Sequence, residues 1–193
     1  MTLTGIYGGS FNPIHTGHTA LARWLVEAGC VDEVWLMVSP QNPFKADATL
    51  LPEALRLELA RLSVEGLAGV SVSDAEMHLP RPSYMWRTLS VLAERHRERE
   101  FALVIGADNW QRFPQWYHAA DILARHRVIV YPRPGTSIDA ATLPPAVTLV
   151  DAPLFDISST AIRHAITHDT HYDGRGLDPA VWQELQRHHS RIS

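Results

Sequence analysis

The sequence is poor in several features that mark whole classes of protein. Among 193 residues it has one cysteine, Cys30, which leaves no partner for a disulfide within the chain and suggests a reducing compartment. The 21 acidic residues outnumber the 17 lysines and arginines, for a net charge of −4, which disfavours a sequence-independent grip on nucleic acid. No apolar run approaches the roughly 18 residues of a membrane span. We therefore expect a cytoplasmic enzyme or binding domain without nucleic-acid or membrane partners, with a homo-oligomer left open.

Short β-type runs alternate along the chain with longer helical patterns. Six runs rich in Val, Ile, Leu and aromatic residues predict strands, namely Leu3–Tyr7, Glu33–Val38, Val70–Ser73, Phe101–Ile105, Arg127–Tyr131 and Val147–Val150. Between them, apolar stripes with helical spacing predict helices that end at Gly29, follow Pro52 in a first-turn position and include Met85. Strands separated by helices indicate βαβ units and a parallel sheet. The predicted fold is an α/β, Rossmann-like doubly wound parallel sheet of five to six strands.

The strand pattern stops at about residue 157. A last helix is predicted to start near Pro179, with Val181, Trp182 and Leu185 on its apolar side. The chain length suits one domain, so we expect residues 1–193 to form a single domain with helical C-terminal elements from about 157. Two stretches, 39–48 and 132–145, are rich in turn-forming residues and predict loops.

The most informative segment, IYGGSFNPIHTGH, connects the first predicted strand to the first helix. Gly8 and Gly9 permit a tight turn and let a phosphate approach the main chain closely. The helix begins near Gly17, so its free N–H groups face the same place, at the carboxyl end of a parallel strand where ligands bind. His15 and His18 flank this helix start and can donate hydrogen bonds to phosphate oxygens. A zinc-binding pair and a surface pair without a role are the alternatives.

A second segment, ISSTAIR at 157–163, places three hydroxyl residues at a predicted helix start and an arginine one turn later. A single serine or threonine there would serve as a helix cap. Three hydroxyls followed by Arg163 offer more than a cap requires, because hydroxyls, main-chain N–H groups and a guanidinium together suit an anion.

The two segments, in this order and about 140 residues apart, resemble the H-x-G-H and ISSTxxR motifs of adenylyltransferases in the nucleotidyltransferase superfamily. The resemblance implies ATP as a substrate, with Mg²⁺ bound mainly through the ATP phosphates and no metal ligand from the chain. The implied ATP-binding residues are Gly8, Gly9, Ser10, Phe11, His15, His18, Gly106, Asp108, Ile157, Ser158, Ser159, Thr160 and Arg163. The implied catalytic residues are His15, His18, Lys45 and Arg163.

Further segments narrow the family. They are PQNPFK at 40–45, PSY at 82–84, GADNW at 106–110, FPQWY at 113–117 and YPRPG at 131–135. Together they resemble the bacterial nicotinate-mononucleotide adenylyltransferases, which implies AMP transfer from Mg-ATP to nicotinate mononucleotide, giving nicotinate adenine dinucleotide and pyrophosphate in NAD biosynthesis. The implied acceptor-binding residues are Asn12, Lys45, Ser83, Tyr84, Met85, Trp116 and Tyr117.

The acceptor assignment also has a physical reading. An indole face suits a flat, electron-poor nicotinate ring, and the resemblance gives that place to Trp116, although composition alone favours a core tryptophan. Main-chain N–H groups at helix starts near Tyr84 and Tyr117 would hold the ring carboxylate. Relatives commonly have Thr where this chain has Met85, which removes a hydroxyl for that carboxylate, and many have Asp in place of Asn12.

Several alternatives stay open at this point. The same transfer to nicotinamide mononucleotide or phosphopantetheine would use both phosphate motifs. A non-catalytic nucleotide sensor on the same fold would bind ATP without turnover. A fragment of an aminoacyl-tRNA synthetase is disfavoured by the short chain and acidic balance. The histidines at 168, 171, 188 and 189 are expected on a solvated surface.

Overall fold

The computed structural model of the chain describes residues 1–40 and 50–188. Its strands are β1 (Thr2–Gly9), β2 (Glu33–Val38), β3 (Val70–Ser73), β4 (Arg99–Gly106), β5 (Arg127–Tyr131) and β6 (Val147–Leu149). Its α-helices are α1 (Thr16–Glu27), α2 (Glu53–Ser63), α3 (Met85–Arg95), α4 (Ala107–Arg112), α5 (Ala119–Arg125), α6 (Ser159–His168) and α7 (Pro179–Arg187). Short 3-10 turns cover Ala75–His78, Phe113–Gln115 and Ala140–Thr142.

The six strands form one parallel sheet in the order β3-β2-β1-β4-β5-β6. The predicted Rossmann-like α/β fold is confirmed, with the larger of the two expected strand numbers. Strand β1 is central, pairing Ile6 with Trp35 of β2 on one side and with Leu103 of β4 on the other. The strand order reverses between β1 and β4, so a crevice for ligands is expected where these two strands end.

Apolar side chains cover both faces of the sheet, which explains why the strands lack polar alternation. Neighbouring residues in β1 point to opposite faces, so Ile6 packs with the α3 and α5 side while Tyr7 packs with the side of α1, α2, α6 and α7. Each face of the sheet therefore has a buried apolar core. Leu25 is fully buried on the side of α1, and Leu103 is fully buried on the side of α3.

The helical elements after residue 157 are present as α6 and α7, and α7 packs against α2. Pro52 precedes α2 as its N-cap instead of entering its first turn. No helix among the described residues is long and apolar enough to cross a membrane. The single-domain organisation of residues 1–193 stays a prediction.

Candidate active site

Residues 8–13 at the end of β1 form a turn, called the glycine turn below, which has an unusual backbone conformation at one residue. Phe11 is buried at 3% exposure and has a positive φ of 43°, a conformation that costs a side-chain-bearing residue free energy. Its ring meets the edge of Tyr7 at 5.8 Å and that of His18 at 5.0 Å between centroids. A Cβ on Gly9 would lie 3.1 Å from the Phe11 ring, so the absence of a side chain at Gly9 lets this ring fold over the turn.

The two predicted histidines stack on each other at the start of α1. Their ring centroids are 3.6 Å apart with an interplanar angle of 25°. The main-chain N–H of His15 donates to Nδ1 of His18 over 3.2 Å, so a neutral His18 carries its proton on Nε2 and can donate from there. Burial, with a smaller effect of Arg133, lowers the pKa of His15 from 6.5 to about 4. His15 is therefore neutral at pH 7 before any phosphate arrives.

The second predicted motif lies beside the first. Ser158 caps α6 by accepting a hydrogen bond from the N–H of Ala161, and the Ser159 hydroxyl donates to the carbonyl of Pro13 over 2.9 Å. Arg163 donates to the carbonyl oxygen of Asn12 over 2.7 Å. The start of α6 is thus tied to the glycine turn, and the two sequence motifs meet across 140 or so intervening residues.

A cavity of about 560 Å³ opens beside this turn, where β1 and β4 end. It brings together predicted ATP-binding and acceptor-binding residues. Those that line it are Gly8, Gly9, Ser10, Gly106, Asp108, Ser83, Tyr84, Met85, Trp116 and Tyr117. A smaller cleft next to it is lined by His15, His18, Arg133, Phe155 and Ile157. One edge of the sheet therefore holds most of the predicted site.

The acceptor side of the cavity is built from α3 and the turn after α4. The rings of Tyr84 and Tyr117 lie 4.7 Å apart, which places the start of α3 next to the turn that carries Trp116. The indole N–H of Trp116 is buried and has no hydrogen-bond partner among the described residues. Met85 extends to the glycine turn, since a Cβ on Gly8 would come within 2.7 Å of its methyl carbon.

Asp108 and Arg133 face each other across the ends of β4 and β5. Oδ1 of Asp108 lies 3.8 Å from Nε of Arg133, and both side chains are at least a third exposed. A Cβ on Gly106 would meet both side chains, at 2.5 Å for Asp108 and 3.0 Å for Arg133. Gly106 thus leaves room for a charged pair at the cavity wall, of which only Asp108 was predicted.

A buried arginine lies beneath the loops of the site, and sequence reasoning missed it. Arg56 on α2 is fully buried, and its guanidinium donates to the carbonyl oxygens of Ser10 (2.5 Å), Ser39 (2.7 Å) and Pro40 (3.2 Å). Its Nε donates to Leu51 over 3.1 Å. Burial lowers the pKa of Arg56, but a guanidinium stays charged in proteins. One cation thereby joins the loops after β1 and β2.

A buried carboxyl was missed as well. Glu76 is 1% exposed and contributes to the cavity lining. It accepts hydrogen bonds from the hydroxyls of Ser39 and Thr88, the latter over 2.8 Å. Burial raises its pKa, and these hydroxyls counteract the rise in part. Glu76 therefore links the end of β2 to α3 behind the predicted acceptor side.

One predicted acceptor-binding residue, Asn12, does not line the cavity. Asn12 is buried at 3% exposure, and its side-chain oxygen accepts a hydrogen bond from the N–H of Leu51 over 2.9 Å. Lys45 lies outside the described residues. In the part of the chain that the structure describes, the one histidine–carboxylate group with metal-like spacing is Glu58, Glu184 and His188, and none of these lines the cavity. The roles of the individual site residues stay predictions.

Comparisons with known proteins agree with this geometry. A family model described as cytidylyltransferase-like matches residues 6–165. A relative from Bacteroides fragilis, named probable nicotinate-nucleotide adenylyltransferase, is 50% identical over 186 residues, which are 95% of this chain and 91% of the relative. A relative of the same name from Porphyromonas gingivalis is 42% identical over 184 residues, with 95% and 90% covered.

A solved structure has the same fold over nearly its whole length. It is the Plasmodium falciparum nicotinic acid mononucleotide adenylyltransferase complexed with NaAD, with a TM-score of 0.84 and coverage of 99% of this chain and 98% of that chain. The sequence identity of 18% limits this likeness to the fold.

Proposed function

Since the chain belongs to the cytidylyltransferase-like family of nucleotidyltransferases, we propose that it is a nicotinate-nucleotide adenylyltransferase that transfers AMP from Mg-ATP to nicotinate mononucleotide. The observation that carries the proposal is the shared cavity, in which the glycine turn of the phosphate motif faces the segment of Trp116. The 50% identical relative that bears this name supports the acceptor.

The reaction joins two phosphate groups. An oxygen of the acceptor phosphate attacks the α-phosphorus of ATP, a new P–O–P linkage forms, and the bond between the α-phosphorus and the bridging oxygen breaks to release pyrophosphate. The attacking oxygen is already anionic at neutral pH, so the reaction requires no general base. Catalysis then depends on positioning the two substrates and on stabilising negative charge in the transition state.

The stacked histidines suit that task as hydrogen-bond donors. His18, whose Nδ1 accepts from the main chain, presents Nε2–H at the start of α1, where the helix dipole also favours an anion. Neutral His15 would gain a proton more readily once a triphosphate lies beside it, because nearby negative charge raises the pKa of an imidazole. Donors that are already oriented need little reorganisation during the reaction.

Arg163 and Lys45 are the proposed cationic contributors. Arg163 is oriented towards the glycine turn by its hydrogen bonds to Asn12 and Thr160. Arg133, which was not predicted, adds a guanidinium at the cleft beside His15 and His18. Removal of one such charge should lower kcat more than it raises the KM for ATP, because the charge to be stabilised grows in the transition state.

The described residues fit a Mg²⁺ ion that is held by the substrate. Asp108 is the one carboxylate on the cavity wall without hydroxyl partners among the described residues, since Glu76 is engaged by Ser39 and Thr88. Mg²⁺ commonly binds through one or two carboxylates, substrate phosphates and water. When bound, it would neutralise phosphate charge, and Asp108 would contact one of its water ligands or the ribose.

Acceptor recognition is proposed to combine stacking with main-chain donors. The indole of Trp116 would stack on the nicotinate ring. Helix α3 starts with no side-chain cap at Tyr84, which leaves the first N–H groups of the helix without intrahelical partners and available for the ring carboxylate. The contact between Tyr84 and Tyr117 would bring both sets of N–H groups to one place.

The test is pyrophosphate release from Mg-ATP with nicotinate mononucleotide, nicotinamide mononucleotide and phosphopantetheine, compared by kcat/KM. We expect the nicotinate substrate to be preferred at least about tenfold, since the amide replaces one accepting oxygen of the carboxylate by an NH2 group, which would face the main-chain donors at the helix starts. Comparable use of the amide would instead indicate dual specificity. ATP binding without turnover of any acceptor would refute the enzyme assignment in favour of a nucleotide sensor.

A further inference from the structure

Two tyrosines lie where the cavity meets the cleft of the histidines. Tyr7 near the end of β1 and Tyr131 at the end of β5 contribute to the lining of both spaces, and no other described residue does. Their rings meet edge to face at 5.8 Å between centroids. Tyr7 lies in the segment IYGGSFNPIHTGH and Tyr131 in YPRPG, but neither was assigned a role in the site.

The two hydroxyls contact each other, but poorly. Their oxygens are 3.3 Å apart, longer than the roughly 2.5–3.0 Å of a well-formed O–H···O hydrogen bond. Each tyrosine has one hydrogen to donate, and at most one of the two is used between them. Among the described residues no further partner contacts either hydroxyl, so the pair keeps one hydrogen-bond donor unused although Tyr7 is only 6% exposed.

The surroundings keep both phenols in their protonated form. Burial raises the pKa of Tyr7 well above 10 and also raises that of Tyr131. Among the described residues, the charged side chains of Arg133 and Asp108 act on both hydroxyls, Arg133 lowering and Asp108 raising their pKa. At neutral pH the pair therefore presents a donor and not an anion to whatever binds beside it.

A hydroxyl at such a place costs stability unless water or a ligand accepts its hydrogen bond, because it was hydrogen-bonded to water in the unfolded chain. Phenylalanine would fill nearly the same volume without that cost. Because both tyrosines line the cavity and the cleft, an oxygen of a ligand bound there can accept the unused hydrogen bond.

We propose that the Tyr7–Tyr131 hydroxyl pair donates a hydrogen bond to an oxygen of bound ATP. The inference rests on the proposed function only in naming ATP as the ligand. The cleft beside the pair carries His15, His18 and Arg133, donors suited to phosphate, so the acceptor atom is either a phosphate oxygen or a ribose oxygen of the same nucleotide.

The test uses the full chain with Tyr7→Phe, Tyr131→Phe and the double variant. The double variant removes both hydroxyls together and leaves no new unpaired group, so we expect its free energy of unfolding to equal or exceed that of the wild type. Its kcat/KM for ATP should fall about ten- to hundredfold, as expected for loss of a hydrogen bond to a neutral or charged oxygen. The KM for the acceptor should not change.

A matched control is Tyr172→Phe. This variant also loses a hydroxyl hydrogen bond, the one that Tyr172 donates to the carbonyl of Arg175 over 2.6 Å. Tyr172 lines neither the cavity nor the cleft. Its ATP kinetics should equal those of the wild type. Unchanged kcat/KM and unchanged ATP affinity in the double variant would overturn the proposal, and a loss of stability without a kinetic effect would assign the pair to packing.

Deoxy analogues of ATP identify the oxygen. If the pair contacts a ribose hydroxyl, the double variant and the wild type should use 2′-deoxy-ATP or 3′-deoxy-ATP equally well. If it contacts a phosphate, the loss should persist with both analogues. Equilibrium binding of ATP without acceptor is measured in parallel, so failure of the acceptor assignment would leave the tyrosine comparison intact.

Discussion

Removal of the titrating group at His15 should change how the stability of the ligand-free protein depends on pH. His15 is 5% exposed, and burial lowers its pKa to about 4 from the 6.5 of a solvated imidazole. Between these two pH values the unfolded chain binds a proton at this residue that the folded chain does not. Folding stability is therefore fully retained above the unfolded pKa and is lost as pH falls from 6.5 towards 4.

The magnitude follows from the difference between the two pKa values. At about 1.36 kcal/mol per pH unit, the complete loss amounts to about 3 kcal/mol. About 2 kcal/mol of it falls between pH 7 and pH 5. In His15→Asn this contribution is absent, so acidification should destabilise the variant about 2 kcal/mol less than it destabilises the wild type.

The assay is urea unfolding of both proteins without nucleotide at several pH values from 7 to 5. Subtraction of the variant from the wild type removes the contributions of other shifted groups, such as His126 and Glu76, whose pKa values are lowered and raised respectively. Parallel stability curves for the two proteins would refute the argument that burial keeps His15 neutral. Addition of ATP should reduce the difference, because phosphate favours the charged imidazole.

Three further substitutions have defined outcomes. His18→Ala should lower kcat about 10² or more in the pyrophosphate assay, and an unchanged kcat would remove His18 from the mechanism. Trp116→Ala should raise the KM for nicotinate mononucleotide about tenfold through lost stacking, with the KM for ATP as the internal control. Arg56→Met should lower the free energy of unfolding by at least about 3 kcal/mol, because four carbonyl oxygens lose their donor. The control is Arg61→Met at an exposed position of the same helix, which should lower it by less than about 1 kcal/mol. Similar losses from both substitutions would show that the buried guanidinium is not required.

The fold was predictable because its strands are buried on both faces. Runs such as the one ending at Tyr131 contain little besides β-branched and aromatic residues, and the structure places a strand at each of the six predicted runs. Boundaries were less predictable, since β1 continues to Gly9 and β4 starts at Arg99. These ends are set by pairing with neighbouring strands and not by local composition.

The candidate site was predictable only where local motifs carry it. Nothing in the sequence near Arg56 distinguishes it from an exposed helical arginine, although its spacing to Leu59 places it close to the apolar stripe of α2. The orientation of the Arg56 side chain is set by the loops after β1 and β2, whose carbonyl oxygens accept its hydrogen bonds in the folded chain. The pairing of Tyr7 with Tyr131 joins residues 124 positions apart, a relation that exists only once β1, β4 and β5 lie side by side.

The position of Arg56 also affects how the protein attracts anions in salt solution. Dissolved ions screen charges on the surface but reach a fully buried guanidinium poorly. Among the described residues the charge of Glu53 acts on Arg56, but the hydrogen bonds of the guanidinium go to main-chain carbonyl oxygens and not to a carboxylate. Substrates that carry phosphate would be attracted by this cation through the loop of Ser10. The attraction supplied by partly exposed groups such as Arg133 would weaken strongly as salt rises, while the part supplied from beneath the loops would weaken less.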